Sequence, residues 1–244
     1  MPSVNVAGSR VLVAGGAHRV GRAVALHLAS SGASVGISYH RSRDAAERTA
    51  AEIAELGTQT SVGRADATRP EEMRRLVEET AAELGGLDVY VHAPSGGFEP
   101  RPAVDIDEAL WDAAFDSTTK GFMFGAQQAY RMMREQRHGV IIAITDVAGL
   151  QPWAQFAAHA AAKAAQIHLV KCLAADWGPD GIRVCGVAPG PVLMPPGIEG
   201  NPDETALRRL GDPADVAQAV TYCIEAEFFT GQELIVDGGR LLRP

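Results

Sequence analysis

The chain has 244 residues and a formal net charge of −8, a length that allows one large domain or two small ones. The acidic balance disfavours nucleic acid and anionic membranes as partners, while a local basic cluster for a phosphate ligand is still compatible with it. Three widely spaced cysteines predict buried free thiols, and the lack of a secretory leader and of a membrane-length apolar run predicts a cytoplasmic protein.

Short apolar runs alternate with amphipathic segments along the chain. The apolar runs predict strands at residues 10–14, 34–39, 60–66, 87–93, 139–145, 181–189 and 233–239. The amphipathic segments predict helices at about 23–32, 40–57, 70–84, 107–136, 153–178 and 213–226. This alternation and the near-continuous apolar strands are typical of a parallel sheet covered by helices on both faces. No linker-like tract divides the chain, so residues 1–244 are predicted to form one α/β domain.

One irregular stretch, at about 190–210, is rich in proline and glycine and follows the sixth predicted strand. Ligands of open α/β sheets lie at the carboxyl ends of the strands, so this stretch is predicted to be a substrate loop. Its apolar residues Val192, Leu193, Met194 and Pro195 would face the substrate. The alternative is a connector without a role in binding.

A glycine-rich turn follows the first strand and leads into the first helix. Gly15 and Gly21 permit a tight turn in which backbone N–H groups approach a phosphate closely. The amino end of the following helix favours negative charge. The turn lacks the GxGxxG form, so its strand–turn–helix context supports the prediction of a nucleotide site.

A basic cluster stands at the end of the second strand, where a site for a free ribose 2′-hydroxyl would carry an acidic residue. His40, Arg41, Ser42 and Arg43 are found there instead, and together with Arg19 they suit a 2′-phosphate. We therefore predict NADP(H) rather than NAD(H). The alternative, a solvated basic start of a helix, is disfavoured because cations destabilise the amino end of a helix.

Asp146, His159 and Lys163 form a possible acid–base group. Asp146 follows the fifth strand, and positions 159 and 163 share one face of the next helix. An imidazole and an ammonium group near a carboxylate can transfer protons close to neutral pH. The alternative is a surface helix with two ordinary polar residues.

Several motifs in register resemble those of the short-chain dehydrogenase/reductase family, from about residue 9 to 240. The glycine turn resembles TGxxxGxG, VHAPSGG at 91–97 stands at the NNAG motif, and GIRVCGVAPGPV at 181–192 resembles the segment whose Pro-Gly turn abuts the nicotinamide. The segment TGQELIVDGG resembles the carboxyl-terminal pattern of the family. The resemblance implies a single-domain Rossmann fold with a doubly wound, seven-stranded parallel sheet. It also implies an oxidoreductase with a small-molecule substrate, and a homo-oligomer, either a dimer or a tetramer.

The resemblance assigns roles to individual residues. Asp66 matches the aspartate that binds the adenine amino group, and Lys163 matches the lysine that holds the nicotinamide ribose. The implied cofactor-binding residues are Gly15, His18, Arg19, Val20, Gly21, His40, Arg41, Ser42, Asp66, Ala67, Ala93, Pro94, Ser95, Lys163, Pro189, Gly190 and Val192. The implied substrate-binding residues are Gly96, Phe98, Asp146, Trp153, His159 and Met194, and no set of residues has metal-ligand spacing.

Within the family, the chain is most similar to pteridine reductases, a subgroup that depends on NADPH. Arginine at the middle glycine position (Arg19), YHRS at 39–42, and Asp146 followed four residues later by Leu-Gln-Pro carry this similarity.

The implied catalytic set departs from the majority pattern of the family. His159 stands where the family has its catalytic tyrosine, Asp146 where it has serine, and Thr118 where it has asparagine. Lys163 is retained. His92 stands at the first asparagine of NNAG, and a role in the site or in the core is equally open for it.

These departures suggest a class of substrate. An imidazole is shorter than a phenol, so its proton falls about 1–2 Å short of the usual place, and such misplacement is costly. An electron-poor, conjugated acceptor needs less help from an acid. The leading hypothesis is an NADPH-dependent reductase of a conjugated cyclic carbonyl, a quinonoid or polyketide-like compound of secondary metabolism. The alternatives are a pterin or folate reductase and an NADP(H)-binding protein without hydride-transfer activity.

Overall fold

The computed structural model describes residues 4–194 and 199–242. The strands are β1 (Arg10–Ala14), β2 (Ser34–Tyr39), β3 (Thr60–Arg64), β4 (Val89–His92), β5 (Gly139–Ile144), β6 (Ile182–Pro189) and β7 (Glu233–Val236). The α-helices are α1 (Arg19–Ser30), α2 (Arg43–Glu55), α3 (Pro70–Leu84), α4 (Glu108–Phe115), α5 (Gly121–Met133), α6 (Ala157–Trp177) and α7 (Pro213–Glu225).

All seven strands are parallel and form one sheet in the order β3-β2-β1-β4-β5-β6-β7. The predicted α/β domain with a doubly wound, seven-stranded sheet is thereby confirmed. The chain adds strands outward from β1 to β3, and β4 then returns to the other side of β1. This reversal opens a crevice at the carboxyl ends of β1 and β4, which is where ligands of such sheets bind.

Helices cover both faces of the sheet through two separate apolar clusters. On one face, α1, α2 and α7 contribute residues such as Leu28, Ile53 and Val220. On the other, α3, α5 and α6 contribute residues such as Phe122 and Val170. The strands β4 and β5 are buried at every position, which explains their uninterrupted apolar sequence. Each fully buried aliphatic side chain contributes about 1.5–3 kcal/mol, so the sheet is held rigidly beneath the crevice.

Two predicted helices differ from the observed ones. The helix predicted at 107–136 is divided by a π-helical turn at Asp116–Lys120, which joins α4 to α5. The helix predicted at 153–178 begins at Ala157, because residues 153–156 form part of a loop. A π-helical turn holds one extra residue within a helix, and hydrophobic periodicity over a long segment does not reveal a local insertion of this kind.

The three cysteines are free thiols, but their burial was predicted only partly correctly. Cys185 and Cys223 are buried, whereas Cys172 is exposed on α6. Within the described ranges, no helix combines the length and the apolar character that a transmembrane span needs.

Candidate functional site

A cleft of about 1010 Å³ lies along the carboxyl ends of the strands, at the crevice between β1 and β4. The loops that follow β1 to β6 all contribute to its walls. Every residue predicted to bind cofactor or substrate lines this cleft, and so do the predicted catalytic residues Asp146, His159 and Lys163. Pro195, predicted as part of the substrate loop, falls outside the described residues.

The glycine turn after β1 has the form that a phosphate requires. Gly15 has φ +76°, in the region that favours glycine, and a Cβ there would approach the Pro94 nitrogen to 3.2 Å. A Cβ at Gly21 would collide with the carbonyl of Gly15. The amide of Gly15 donates to the hydroxyl of Ser38 at 2.9 Å, which ties the turn to β2.

The amino end of α1 faces the cleft without a side-chain cap. His18 at the N-cap makes no capping hydrogen bond, and the first turn holds no acidic residue. The unpaired N–H groups and the helix dipole together favour an anion. The tight turn and this uncapped helix end fit the pyrophosphate of a dinucleotide.

The end of β2 presents a cationic side chain to the cleft. Within residues 4–194 and 199–242, Arg41 pairs with no acidic side chain, whereas Arg43 is held by Glu47 on the helix surface. His40 lies 3.5 Å from Asp66, Nε2 to Oδ2. Burial opposes ionisation of Asp66, but hydrogen bonds from the backbone and hydroxyl of Thr68 outweigh it and lower the pKa of the carboxyl.

Arg19, predicted to act together with the basic cluster at the end of β2, lines the same cleft as that cluster. Its guanidinium donates to the carbonyl of Leu193 and, at 3.4 Å, to that of Met194. The backbone of Arg19 has φ +51°, in the left-handed region. A left-handed conformation is unfavourable for a residue with a Cβ, so strain of about 1 kcal/mol is stored here.

His159 and Asp146 face each other across the cleft floor. The Nε2 atom of His159 lies 3.3 Å from Oδ2 of Asp146, and the other carboxylate oxygen accepts from the backbone N–H of Ala148 at 2.8 Å. The His159 side chain is only 3% exposed. Its Nδ1 atom is buried without a hydrogen-bond partner among the described residues. Because a carboxylate oxygen only accepts hydrogen bonds, the Nε2–H of His159 is the donor in its contact with Asp146.

Lys163 lies one helical turn after His159 and is buried. Its Nζ donates to the carbonyl of Ile144 at 2.7 Å. Desolvation lowers the pKa of Lys163 to about 8, and the nearby charges of Asp146 and Glu233 oppose that shift. The ammonium form therefore predominates at neutral pH.

A second buried carboxyl lies behind the site. Burial raises the pKa of Glu233 to about 7, although Thr145 donates to it at 2.5 Å and Lys163 attracts it. Its other oxygen, Oε1, has no partner in the part of the chain described. The carboxyl of Glu233 packs directly on Gly186 of β6. Any side chain at position 186 would collide with it.

An aromatic wall forms the side of the cleft next to His159. Phe98 and Trp153 line the cleft, and Phe156 packs against both rings. The Phe98 ring lies 4.7 Å from that of Phe156 and 5.8 Å from that of Trp153. The same ring packs edge-on against His159 at 4.8 Å. This wall is suited to a flat, apolar ring.

Two residues singled out from the sequence do not line the cleft. Thr118 is fully buried in the π-helical turn, and its hydroxyl lies 3.5 Å from that of Ser95. His92 is also fully buried. Its Nδ1 accepts from the Tyr90 hydroxyl at 2.9 Å, and its Nε2 donates to the Ser117 carbonyl at 3.1 Å. Burial lowers the pKa of His92 to about 3, so it is a neutral core residue.

The sequence patterns did not predict some residues of the site. Ser38, Thr145 and Glu233 hold the turn and the cleft floor, and Gln166 contacts Lys163. The available signal was polarity inside apolar segments: Ser38 lies within β2, and Gln166 lies on the buried face of α6. Among residues 4–194 and 199–242, no group of three His, Cys, Asp or Glu side chains could hold a metal ion.

Comparison with known proteins gives matches along almost the whole chain. A family model described as "Enoyl-(Acyl carrier protein) reductase" matches residues 15–240. The chain is 33% identical over 242 residues to "7alpha-hydroxysteroid dehydrogenase" of Escherichia coli K12, covering 95% of this chain and 94% of that protein. It is 32% identical over 253 residues to "Versicolorin reductase 1" of Aspergillus parasiticus, covering 95% and 96%.

Solved structures share the fold over the same extent. A 7 alpha-hydroxysteroid dehydrogenase complexed with NADH and 7-oxo glycochenodeoxycholic acid has a TM-score of 0.89 at 32% identity, with 96% of this chain and 95% of that chain covered. A short chain dehydrogenase from Burkholderia cenocepacia J2315 in complex with NADP has a TM-score of 0.89 at 31% identity, with 97% and 99% covered. The likeness thus extends from the glycine turn through the cleft to the last strand.

Proposed function

Because the chain belongs to the short-chain dehydrogenase/reductase family, we propose that it is an NADPH-dependent reductase of a conjugated cyclic carbonyl, quinonoid or polyketide-like in kind. Reduction of a ketone is the general chemistry that its relatives support. The observation that carries the finer proposal is the aromatic wall beside His159, which offers apolar ring faces at the point where a proton donor stands.

The cofactor is proposed to lie along the crevice from the end of β2 to Lys163. The uncapped end of α1 would hold the pyrophosphate, Asp66 the adenine, and Arg41 with its neighbours the 2′-phosphate. The guanidinium of Arg41, which has no acidic partner among the described residues, supports NADPH over NADH. When bound, the reduced nicotinamide supplies a hydride, which is chemistry that no side chain provides.

The proton is proposed to come from His159. In this proposal His159 takes the position of the tyrosine of the family, and the contact with Asp146 holds its ring and its proton. Lys163, protonated at neutral pH, contributes a positive charge next to the developing alkoxide. Because this acid stands against an aromatic wall, a substrate whose product anion is stabilised by conjugation suits the site better than an isolated ketone.

A substrate panel tests the proposal. Oxidation of NADPH is followed with quinones, polycyclic aromatic ketones, simple aliphatic ketones and dihydropterins at one enzyme concentration. We expect the highest kcat/KM on the quinonoid and polycyclic compounds, and a lower value when NADH replaces NADPH. Turnover restricted to simple ketones would overturn the proposed substrate class and leave the general reductase function intact.

Pterin or folate reduction is a second candidate. The ring of Phe98 lies within the cleft, where a flat pterin could stack on it. The dihydropterin arm of the panel separates the two, since preference for that arm favours this candidate.

A binding protein without hydride transfer is the candidate from another class. It is favoured by the contacts of His159: Nε2 is already engaged with Asp146, and Nδ1 is buried without a hydrogen-bond partner among the described residues. Tight NADPH binding together with no turnover on any arm of the panel would support it.

We also propose that the protein is a homo-oligomer. Trp111 on α4 is 43% exposed and stacks on Phe115 at 4.7 Å, which gives the helix an apolar outer surface. Light scattering at micromolar concentration is expected to give a dimer or tetramer mass.

A further inference from the structure

Gln166 is a fully buried amide on α6, less than one helical turn after Lys163. Its Oε1 accepts from the Nζ of Lys163 at 3.4 Å, and its Nε2 donates to the backbone carbonyl of Thr118 at 3.3 Å. It therefore bridges the ammonium group to the π-helical turn. Unlike Lys163, it does not line the cleft. A buried amide between two such groups is expected to have a role that an apolar side chain would not fill.

The chemistry of the two partners fixes the orientation of this amide. The ammonium of Lys163 only donates hydrogen bonds, and the carbonyl of Thr118 only accepts them. Rotating the amide by 180° would place donor against donor and acceptor against acceptor. Gln166 therefore presents its carbonyl oxygen to Lys163 in one fixed direction.

The ammonium of Lys163 has three N–H groups to place. One donates to Ile144 at 2.7 Å and a second to Gln166. The third has no acceptor among the described residues, and Lys163 lines the cleft. We propose that Gln166 is a positioning residue that fixes the ammonium of Lys163 so that its remaining N–H faces a ligand oxygen in the cleft.

The groups that face Lys163 decide how this role can be tested. Asp146 follows β5, Glu233 lies on β7, His159 lies on α6, and His92 on β4 acts on it only as a neutral ring. Replacing any of these residues alters the cleft wall, the core packing or the charge near Lys163. Gln166 is the contact that can be altered behind Lys163 while the cleft walls stay unchanged.

The small number of lysines permits a direct measurement. The sequence contains only Lys120, Lys163 and Lys171, so lysine labelled with ¹³C at Cε gives three signals, and Lys163→Arg identifies the one of interest. The wild-type signal is expected to titrate with a midpoint near pH 8. This measurement needs neither substrate nor turnover.

Two substitutions are expected to move the midpoint in opposite directions. Gln166→Met keeps the volume but removes the acceptor, and should lower the midpoint by about one pH unit, a tenfold change in proton affinity. Gln166→Glu adds a carboxylate and should raise it by a similar amount. Gln128→Met, a buried glutamine on α5 that contacts Arg131, should leave it unchanged.

A purely structural role would lower the melting temperature in both Gln166 variants and leave the Lys163 midpoint in place, and that result would overturn the proposal. If Gln166→Met does not fold, the upward shift in Gln166→Glu still decides. The catalytic consequence rests on the proposed function: the alkaline limb of kcat/KM should follow the same two shifts. Shifted lysine signals without turnover on any substrate would contradict the proposed function and leave the positioning role supported.

Discussion

The imidazole of His159 and the carboxylate of Asp146 lie 3.3 Å apart, although thirteen positions separate them in the chain. The strand β5 delivers one partner and α6 the other. We predict that His159→Phe lowers kcat at least a hundredfold, because general acid catalysis contributes about 10²–10⁴-fold. The Kd of NADPH, measured by fluorescence titration, should stay close to the wild-type value.

His168→Phe is the matched variant for this experiment, because His168 is exposed on the same helix and should tolerate the change. Full turnover in His159→Phe would mean that hydride transfer proceeds without this acid.

Arg41 is predicted to select the cofactor. Removing a charged hydrogen-bond donor to a phosphate typically costs about 1.5–3 kcal/mol, so Arg41→Ala should raise the KM for NADPH by roughly 10–100-fold. The KM for NADH should hardly change, since that cofactor lacks the phosphate. Arg43→Ala removes a neighbouring arginine that Glu47 already holds, and its ratio of NADPH to NADH efficiency should match wild type.

Phe98 is predicted to bind the substrate ring. The aromatic contacts of a ring contribute about 0.5–1.5 kcal/mol beyond its buried area, so Phe98→Ala should raise the KM for quinones and polycyclic ketones about tenfold. NADPH binding should be unaffected. Phe228→Ala alters a fully exposed phenylalanine and should behave as wild type. An equal loss with aliphatic ketones would show that Phe98 serves the fold and not the recognition of rings.

Glu233 is predicted to make the protein less stable as the pH rises. Its folded pKa is about 7 because of burial, above the ordinary value of 4.5. Between these values the folded protein retains a proton that the unfolded chain releases, so the contribution of Glu233 to stability falls as the pH rises from 4.5 to 7 and then levels off. Glu233→Gln should remove this slope and exceed wild type by roughly 3 kcal/mol above pH 7.

Urea unfolding at half-unit intervals from pH 5 to 8 checks this difference. Lys163 titrates above most of this window and therefore adds little to the slope. Parallel curves for wild type and Glu233→Gln would contradict the raised pKa of the carboxyl.

His92 is predicted to act in the opposite direction. Burial holds its folded pKa at about 3, below the ordinary value of 6.5, so the unfolded chain binds a proton that the folded protein excludes. The contribution of His92 to stability is therefore lost as the pH falls below 6.5, by roughly 3 kcal/mol at pH 4.5, and it opposes the contribution of Glu233 in this range. His92→Asn should lose less on acidification, measured by urea unfolding at pH 7, 5.5 and 4.5. His168→Asn, on the surface, should retain the wild-type dependence.

The sequence predicts the features that depend on repeated patterns or on neighbouring residues. The sheet, five of its seven helices and the cleft followed from apolar runs and the glycine turn, because parallel strands bring their carboxyl ends to one edge. Residue spacing did not predict the positive φ of Arg19 or its hydrogen bonds to the loop after β6.

Contacts between distant segments could not be predicted. Thr145 and Glu233 meet although 88 positions separate them, and Gln166 reaches Thr118 across 48. In the sequence, Thr145 and Gln166 are isolated polar positions in apolar segments. Only the assembled sheet and helices show which polar groups satisfy one another.

The π-helical turn at Asp116–Lys120 limits how the length of this segment can change during evolution. One residue advances an α-helix by about 100°, so the extra residue sets the outward direction of α4 independently of that of α5. It allows α4 to pack against α6 while α5 packs against α3. Deleting a single residue here would restore an unbroken helix yet twist one of these two interfaces out of contact. The segment is thus a place where length is constrained more tightly than residue identity, and where insertions and deletions should be rejected.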